Sequence, residues 1–210
     1  MADVLYGVKR VVLTELDPAT QLPKVSGGIV CHIETGESAE LEPVVSEGEE
    51  NVARTEDKIL AIVRTPDLLY GYDMTFKDNT FDPSIASLIG GGKVITTGDQ
   101  REKKVTGFET PMMSEGATMK PFKAEIYVAN YEGDSIKNYV CITLNNCKGK
   151  APKFSVGKEF YAPEFEIKAR EATKAKKPIK SISYVDALPV VSQESVYSAK
   201  VAMPTSVSEK

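Results

Sequence analysis

Covalent chemistry needs a nucleophile, a base or a metal held at fixed spacing, and few residues of this 210-residue sequence meet that demand. Its one histidine, His32, follows Cys31 directly. Neighbours on a strand point to opposite faces, so the two cannot form a dyad on regular backbone. A partly buried or surface histidine without a chemical role is expected. Zinc asks for about four Cys or His ligands at compact spacing, which one histidine and the scattered Cys31, Cys141 and Cys147 do not supply. Glu47, Glu49 and Glu50 offer oxygen to calcium, but no EF-hand ligand order surrounds them. A solvated charged loop is the plainer reading. The run Ile89-Gly-Gly-Gly-Lys93 imitates a phosphate loop, yet its glycines follow a helix, and Val94 stands where a hydroxyl is required. Glycosidase carboxylates are defined by their separation in space, which a sequence does not give. The chain has no tryptophan, so the commonest sugar-stacking platform is missing. No catalytic residue, metal ligand or cofactor is expected.

The bulk properties narrow the class further. A formal net charge of -4 gives no general grip on nucleic acid, which needs clustered Lys and Arg. The longest apolar runs, such as Ile59 to Val63, fall far short of the ~20 residues that span a bilayer, so no membrane is expected. Met1 to Lys9 lacks a basic head followed by an apolar run, so no signal peptide is expected either. Three widely spaced cysteines make no disulfide framework and suit a reducing cytoplasm.

The elements that would position any site are mostly strands. Val8 to Leu13 and Gly28 to Ile33 are β-branched runs separated by Asp17, Pro18 and Pro23. From Glu34 to Asp57 there are nine carboxylates against Arg54 alone, a segment charge of -8 that leaves +4 on the remainder. Gly36, Pro43 and Gly48 break any period there, so a long acidic loop or loosely paired hairpin is expected over 34–57. Ile59 to Arg64 reads as a strand. Tyr70, Tyr72, Met74 and Phe76 alternate with Gly71, Asp73 and Thr75, the period of a half-buried strand. Asp82 then caps a short helix, with Pro83 in its first turn and Ile85, Leu88 and Ile89 as its apolar stripe. Gly90, Gly91 and Gly92 stop it.

Lys93 to Thr97 is extended, and Glu102 to Pro121 reads as irregular. Phe122, Ala124, Ile126 and Val128 alternate inward on a strand that turns at Glu132 to Asp134 and pairs with Tyr139 to Leu144. Phe154 to Val156 and Phe165 to Ala169 end the strand series. The composition becomes basic at Lys174, Lys176, Lys177 and Lys180, and a Ser-, Val- and Pro-rich stretch follows Leu188. One β domain over 1–188 and a flexible carboxy-terminal arm over 189–210 are expected.

Two regions carry a resemblance. LLYGYDMTFKDNTFDPSIASLIGGGKV, Leu68 to Val94, resembles the middle of the major tail (tail tube) proteins of long-tailed bacteriophages. FKAEIYVANY, YVCITLNNCKG and GKEFYAPEFEIKAR, between Phe122 and Arg170, follow the order of the same proteins or of a prophage-encoded relative. The resemblance implies a mainly β fold, a β-sandwich or flattened barrel of antiparallel strands flanked by one short α-helix, with long loops and a carboxy-terminal arm. It also implies a non-enzymatic virion subunit, assembled in the host bacterial cytoplasm. Homohexameric rings of such a subunit stack into a tube, whose lumen passes DNA without specific binding. Tape-measure, distal tail and terminator proteins are the other implied partners.

Under that reading Glu37, Glu40, Glu42, Glu47, Glu49 and Glu50 form an inter-ring or inter-subunit loop. Lys174, Lys176, Lys177 and Lys180 are its basic complement, preferably on the next ring, in preference to a role for the carboxylates in lining the lumen. Asp73 and Lys77 belong to the polar face of the tube wall. The competing readings are a monomeric β-sandwich binding module, for a carbohydrate or a surface partner, and a carboxylate-based hydrolase.

Overall fold

The computed structural model describes residues 4–97, 104–115, 119–153 and 163–190. Among them the chain runs β1 (Val4–Glu15), β2 (Val30–Ile33), β3 (Gly36–Ser46), β4 (Glu50–Arg54), β5 (Ile59–Arg64), β6 (Leu68–Asp78), α1 (Pro83–Gly90), β7 (Lys93–Thr97), β8 (Lys104–Glu109), β9 (Phe122–Glu132), β10 (Ser135–Gly149), β11 (Glu164–Ala169) and β12 (Lys180–Val185). The fold is mainly β and antiparallel, as expected. One large sheet has the order β2-β1-β9-β10-β11-β6-β3, with β12 also paired to β10. The 15-residue β10 serves two neighbours on one side. Its Tyr139 to Leu144 pair with β12, and its Cys147 to Gly149 pair with β11.

Alternation dictates which side of this sheet is dry. Val11, Leu13, Met74, Phe76, Phe122, Ala124, Ile126, Phe165 and Ile167 all face one core and are almost fully buried. The sheet folds over that core until β1 and β3 touch, yet no hydrogen-bonded pairing joins β2 to β3 among the described residues. Both therefore remain edges. Helix α1 covers the core from the side. Asp82 accepts from the Ser84 amide at 2.7 Å, Pro83 opens the first turn, and Gly91, at φ 77°, ends the helix. Ile85, Leu88 and Ile89 are buried. Ile89 lies so close over Gly149 that a Cβ there would sit 2.0 Å from its methyl group. A smaller cluster of Val12, Tyr127 and Cys141 lies on the opposite face of the sheet, covered by Val185 and Leu188.

Several expectations need correction. The acidic stretch 34–57 is not a long loop: β3 and β4 occupy most of it. Pro43 is tolerated because β3 is an edge strand, paired on one side only. The irregular stretch 102–121 contains β8, which pairs with β7 in a two-stranded ribbon. The strand expected at Phe154 to Val156 lies outside the described residues, as does the carboxy-terminal arm beyond Val190.

Candidate assembly surfaces

The least self-sufficient part of the molecule is the arm that β3 and β6 send out beyond Ser46 and Leu68. At its root the Gly48 amide donates to Asp67 Oδ1 at 2.9 Å and the Glu49 amide to Thr65 Oγ1 at 2.8 Å. A Cβ on Gly48 would lie 1.8 Å from the Thr65 carbonyl oxygen, so the two chains close tightly there. Beyond the root, β4 and β5 pair from Glu50↔Arg64 to Arg54↔Ile59, with a bulge after Ala53, and every residue of both strands is exposed. Pleating puts Val52, Leu60 and Ile62 on one face, and Ala53, Ile59, Ala61 and Val63 on the other. Both faces are apolar, and a two-stranded ribbon in water is marginal without cover.

The outer face of β3, β6, β11 and the end of β10 is mostly charged. The register forms three rows: Ser38, Lys77, Glu164; Glu40, Thr75, Glu166; and Glu42, Asp73, Lys168 with Lys148 beyond. The rows are largely self-neutralised. Lys77 Nζ lies 3.9 Å from Glu164, and Asp73 lies 3.5 Å from Arg170 and 4.0 Å from Lys168. Glu166 accepts from Lys150 at 2.6 Å and from Lys153, and these hydrogen bonds hold its carboxyl down at about 2. The same hydrogen bond to Glu166 raises the Lys153 ammonium above its ordinary value.

A basic turn joins β11 to β12 beside the middle of β10. β11 finishes at Ala169, opposite Tyr72 of β6, and the Arg170 guanidinium sits 5.2 Å above the Tyr70 ring. Ala172 and Lys177 then bridge across the turn, with Lys176 at φ 53°. Lys174 Nζ donates to the Pro18 carbonyl at 2.9 Å, which ties the turn to the loop after β1. Lys176 and Lys177 are exposed and form none of the described ion pairs.

The end of the sheet opposite the arm carries an open cavity of about 460 Å³ lined by His32, Glu34, Thr35, Asp78, Thr80 and Asp82, with Ile33 and Ile85. Asp78 is fully buried and accepts from Thr35 Oγ1 at 2.6 Å. Burial, and then the nearby Arg10, lower the pKa of His32 and favour its neutral form. Cys31 points to the core on the opposite side of the strand, and burial pushes its thiol up to about 12. The adjacent pair is thus split between faces. Among the described residues no group of three or more His, Cys, Asp or Glu side chains is arranged to hold a metal.

No protein-family model matches the sequence, and no curated protein matches it. Among solved structures it is similar to a chain of the anti-feeding prophage tube-terminating cap. The identity is 11%, covering 87% of this chain and 94% of that one, with a TM-score of 0.38. It is also similar to a chain of the sheath-tube complex, in the extended state, of an extracellular contractile injection system. There the identity is 8%, the coverage 85% and 91%, and the TM-score 0.34. Likeness of this degree carries no argument about function.

The residues singled out in sequence are distributed rather than gathered. Glu37, Glu40 and Glu42 lie on β3, at the edge of the large sheet, while Glu47 and Glu49 flank the arm root and Glu50 opens β4. Lys174, Lys176 and Lys177 form the basic turn, but Lys180 begins β12, its ammonium 4.2 Å above the Tyr72 ring. Asp73 and Lys77 share the charged outer face. Sequence reasoning missed the two-sided apolar character of the arm and the strand β12. The latter was signalled by Ser181-Ile182-Ser183-Tyr184, which alternates with period two.

Proposed function

We propose that this chain is a structural subunit that associates with its own copies, as a tail-tube protein does, and acts without chemistry of its own. The observation that carries this reading is the β4–β5 arm, which exposes Ile59, Leu60, Ile62 and Val63 at 57–67% each. A monomer normally suppresses such a feature, because an open ribbon with two apolar faces recruits other chains. The free edges of β2 and β3 and the exposed Val4, Leu5 and Tyr6 at the start of β1 add surface of the same kind.

In this reading six copies close into a ring, and rings stack into a hollow tube that passes DNA. Heterologous contacts close around the ring, while stacking stays open-ended. The charged outer face, with Asp73 and Lys77, suits a lumen wall. Lys77 and Lys168 on it are paired with Glu164 and Asp73, which leaves a polyanion less free positive charge to meet. Electrostatic influence of such a wall reaches only about 8 Å at physiological salt.

Size-exclusion chromatography with light scattering over a wide range of protein concentration tests the proposal. Six-subunit or larger species that grow with concentration are expected, and a strict monomer throughout would overturn it.

A further inference from the structure

The strand register gives the molecule a direction. β10 runs from Ser135, opposite Glu132 of β9, to Cys147, opposite Phe122, and Phe122 lies opposite Glu15 of β1. The 16–29 loop after β1 is therefore at the Cys147 end. Tyr72 of β6 is opposite Ala169, which is opposite Cys147, so Leu68 and the arm lie toward the Ser135 end. The arm and the β9–β10 turn thus leave one end of the sheet, and the 16–29 loop leaves the other.

The two ends differ in charge. From 47 to 67 the arm holds six carboxylates against Arg54, Lys58 and Arg64, and none of the six enters a described ion pair. The β9–β10 turn adds Glu132 and Asp134. At the opposite end the buried Glu15 is shared by Lys24 at 3.3 Å and Lys120 at 3.7 Å, which leaves that cluster a net positive charge. Lys174 ties the basic turn to the same loop: its Nζ donates to the Pro18 carbonyl and its amide to Gln21 Oε1, both at 2.9 Å. Around the loop Lys24, Lys120, Lys174, Lys176 and Lys177 stand against Glu15, Asp17 and Glu171. The acids of the nearby cavity are already engaged, since Asp78 is fully buried, Asp82 caps α1 and Glu34 pairs with Arg10. The loop also exposes Leu22, and Val25 completely.

We propose that the 16–29 loop, rimmed by these lysines, is the seat on which the arm of a second copy docks, end to opposite end along the strands. The proposal rests on the self-association reading and names the surfaces that meet within it. Leu22 and Val25 meet apolar side chains of the arm, and the lysines meet the carboxylates at its root, an apolar centre with a charged rim. From Ser46 to its tip the arm extends about 30 Å, at roughly 3.3 Å per residue, so the tip passes the loop while the root faces it. Complementary patches at opposite ends do not close a two-fold dimer. Each contact leaves a free arm and a free loop, so addition continues. The contact runs along the strands and not across the free edges of β2 and β3, which assigns it to stacking between rings.

Cross-linking of full-length variants tests this. Asn51→Cys places a thiol on the arm and Ser26→Cys places one on the loop; both positions are exposed, and neither change removes a charge or an apolar side chain. The native Cys31, Cys141 and Cys147 are buried and stay silent. With a short bismaleimide at about 0.15 M salt, each variant alone should stay unlinked, and their equimolar mixture should give a dimer. A chain carrying both changes should give a ladder on denaturing gels that runs past six. Adding Lys176→Glu and Lys177→Glu to that chain should weaken the ladder roughly ten-fold. Circular dichroism checks that each variant keeps its fold.

Self-linking of either single variant would mean that like ends meet and would overturn the proposal, as would a doubly changed chain that links only within itself. A ladder that stops at six would make the contact lateral and overturn the stacking assignment. Absence of linkage in every preparation, while the wild-type chain still associates in sedimentation, would overturn the contact and leave self-association standing. A wild-type chain that never associates would overturn both.

Discussion

The combined replacement of Ile59, Leu60, Ile62 and Val63 by Thr separates folding from assembly. These side chains are 63%, 67%, 57% and 61% exposed, so the isolated subunit draws little stability from them. Threonine is β-branched, as Ile59, Ile62 and Val63 are, and suits a strand. Fully burying each original side chain is worth roughly 1.5–3 kcal/mol, and about three-fifths of that surface remains to be covered. The four together supply about 4–7 kcal/mol of contact free energy on association. Ordering the interface takes up about half, leaving roughly 2–4 kcal/mol, or about 30- to 700-fold in the association constant. Sedimentation equilibrium of the wild type and the variant measures this directly, with thermal unfolding as the control. The melting temperature of dilute monomer should barely move. A variant that associates as tightly as wild type would refute the claim that the arm is covered in the assembly. So would a variant that fails to fold, since that would make the arm part of the subunit core.

Three further outcomes follow from the packing and the charges. Glu166→Gln should remove a pH dependence: the folded carboxyl is lowered from 4.5 to about 2, so its contribution is present above about pH 4.5 and lost as pH falls through about 2. Acid unfolding of the two proteins, or NMR titration of the Glu166 carboxyl, reads this. Cys31 and Cys147, both buried and pushed up to about 12, should resist alkylation at neutral pH and react only in denaturant. Thiol titration decides it. Gly149→Ala should destabilise the subunit by about 1–3 kcal/mol, because the new Cβ would overlap Ile89, and chemical denaturation should show a lower midpoint.

The sequence revealed elements whose signals are local. Asp82-Pro83 and the glycines after Ile89 mark the helix because capping and helix termination need only neighbouring residues. Tyr72 to Phe76 and Phe122 to Val128 show their buried faces because a half-buried strand alternates. What stayed hidden depends on distant partners. β3 looked like a loop because Pro43 lies within it and Gly36 and Gly48 bound it, and only its pairing with β6 as an edge makes it a strand. Glu40 and Glu42 share a charged sheet face with residues more than 100 positions away, including Glu166 and Lys168. The basic turn and the acidic segment were each visible as composition. Where each lies follows from the pairing of β10 with both β11 and β12 and of β3 with β6, which no local pattern encodes.

Negative-stain electron microscopy of the full chain at high concentration tests the central claim most directly. The account predicts rings with a central hole, stacked into tubes, and their loss in the Ile59, Leu60, Ile62 and Val63 variant. Compact single-subunit particles at every concentration would contradict it.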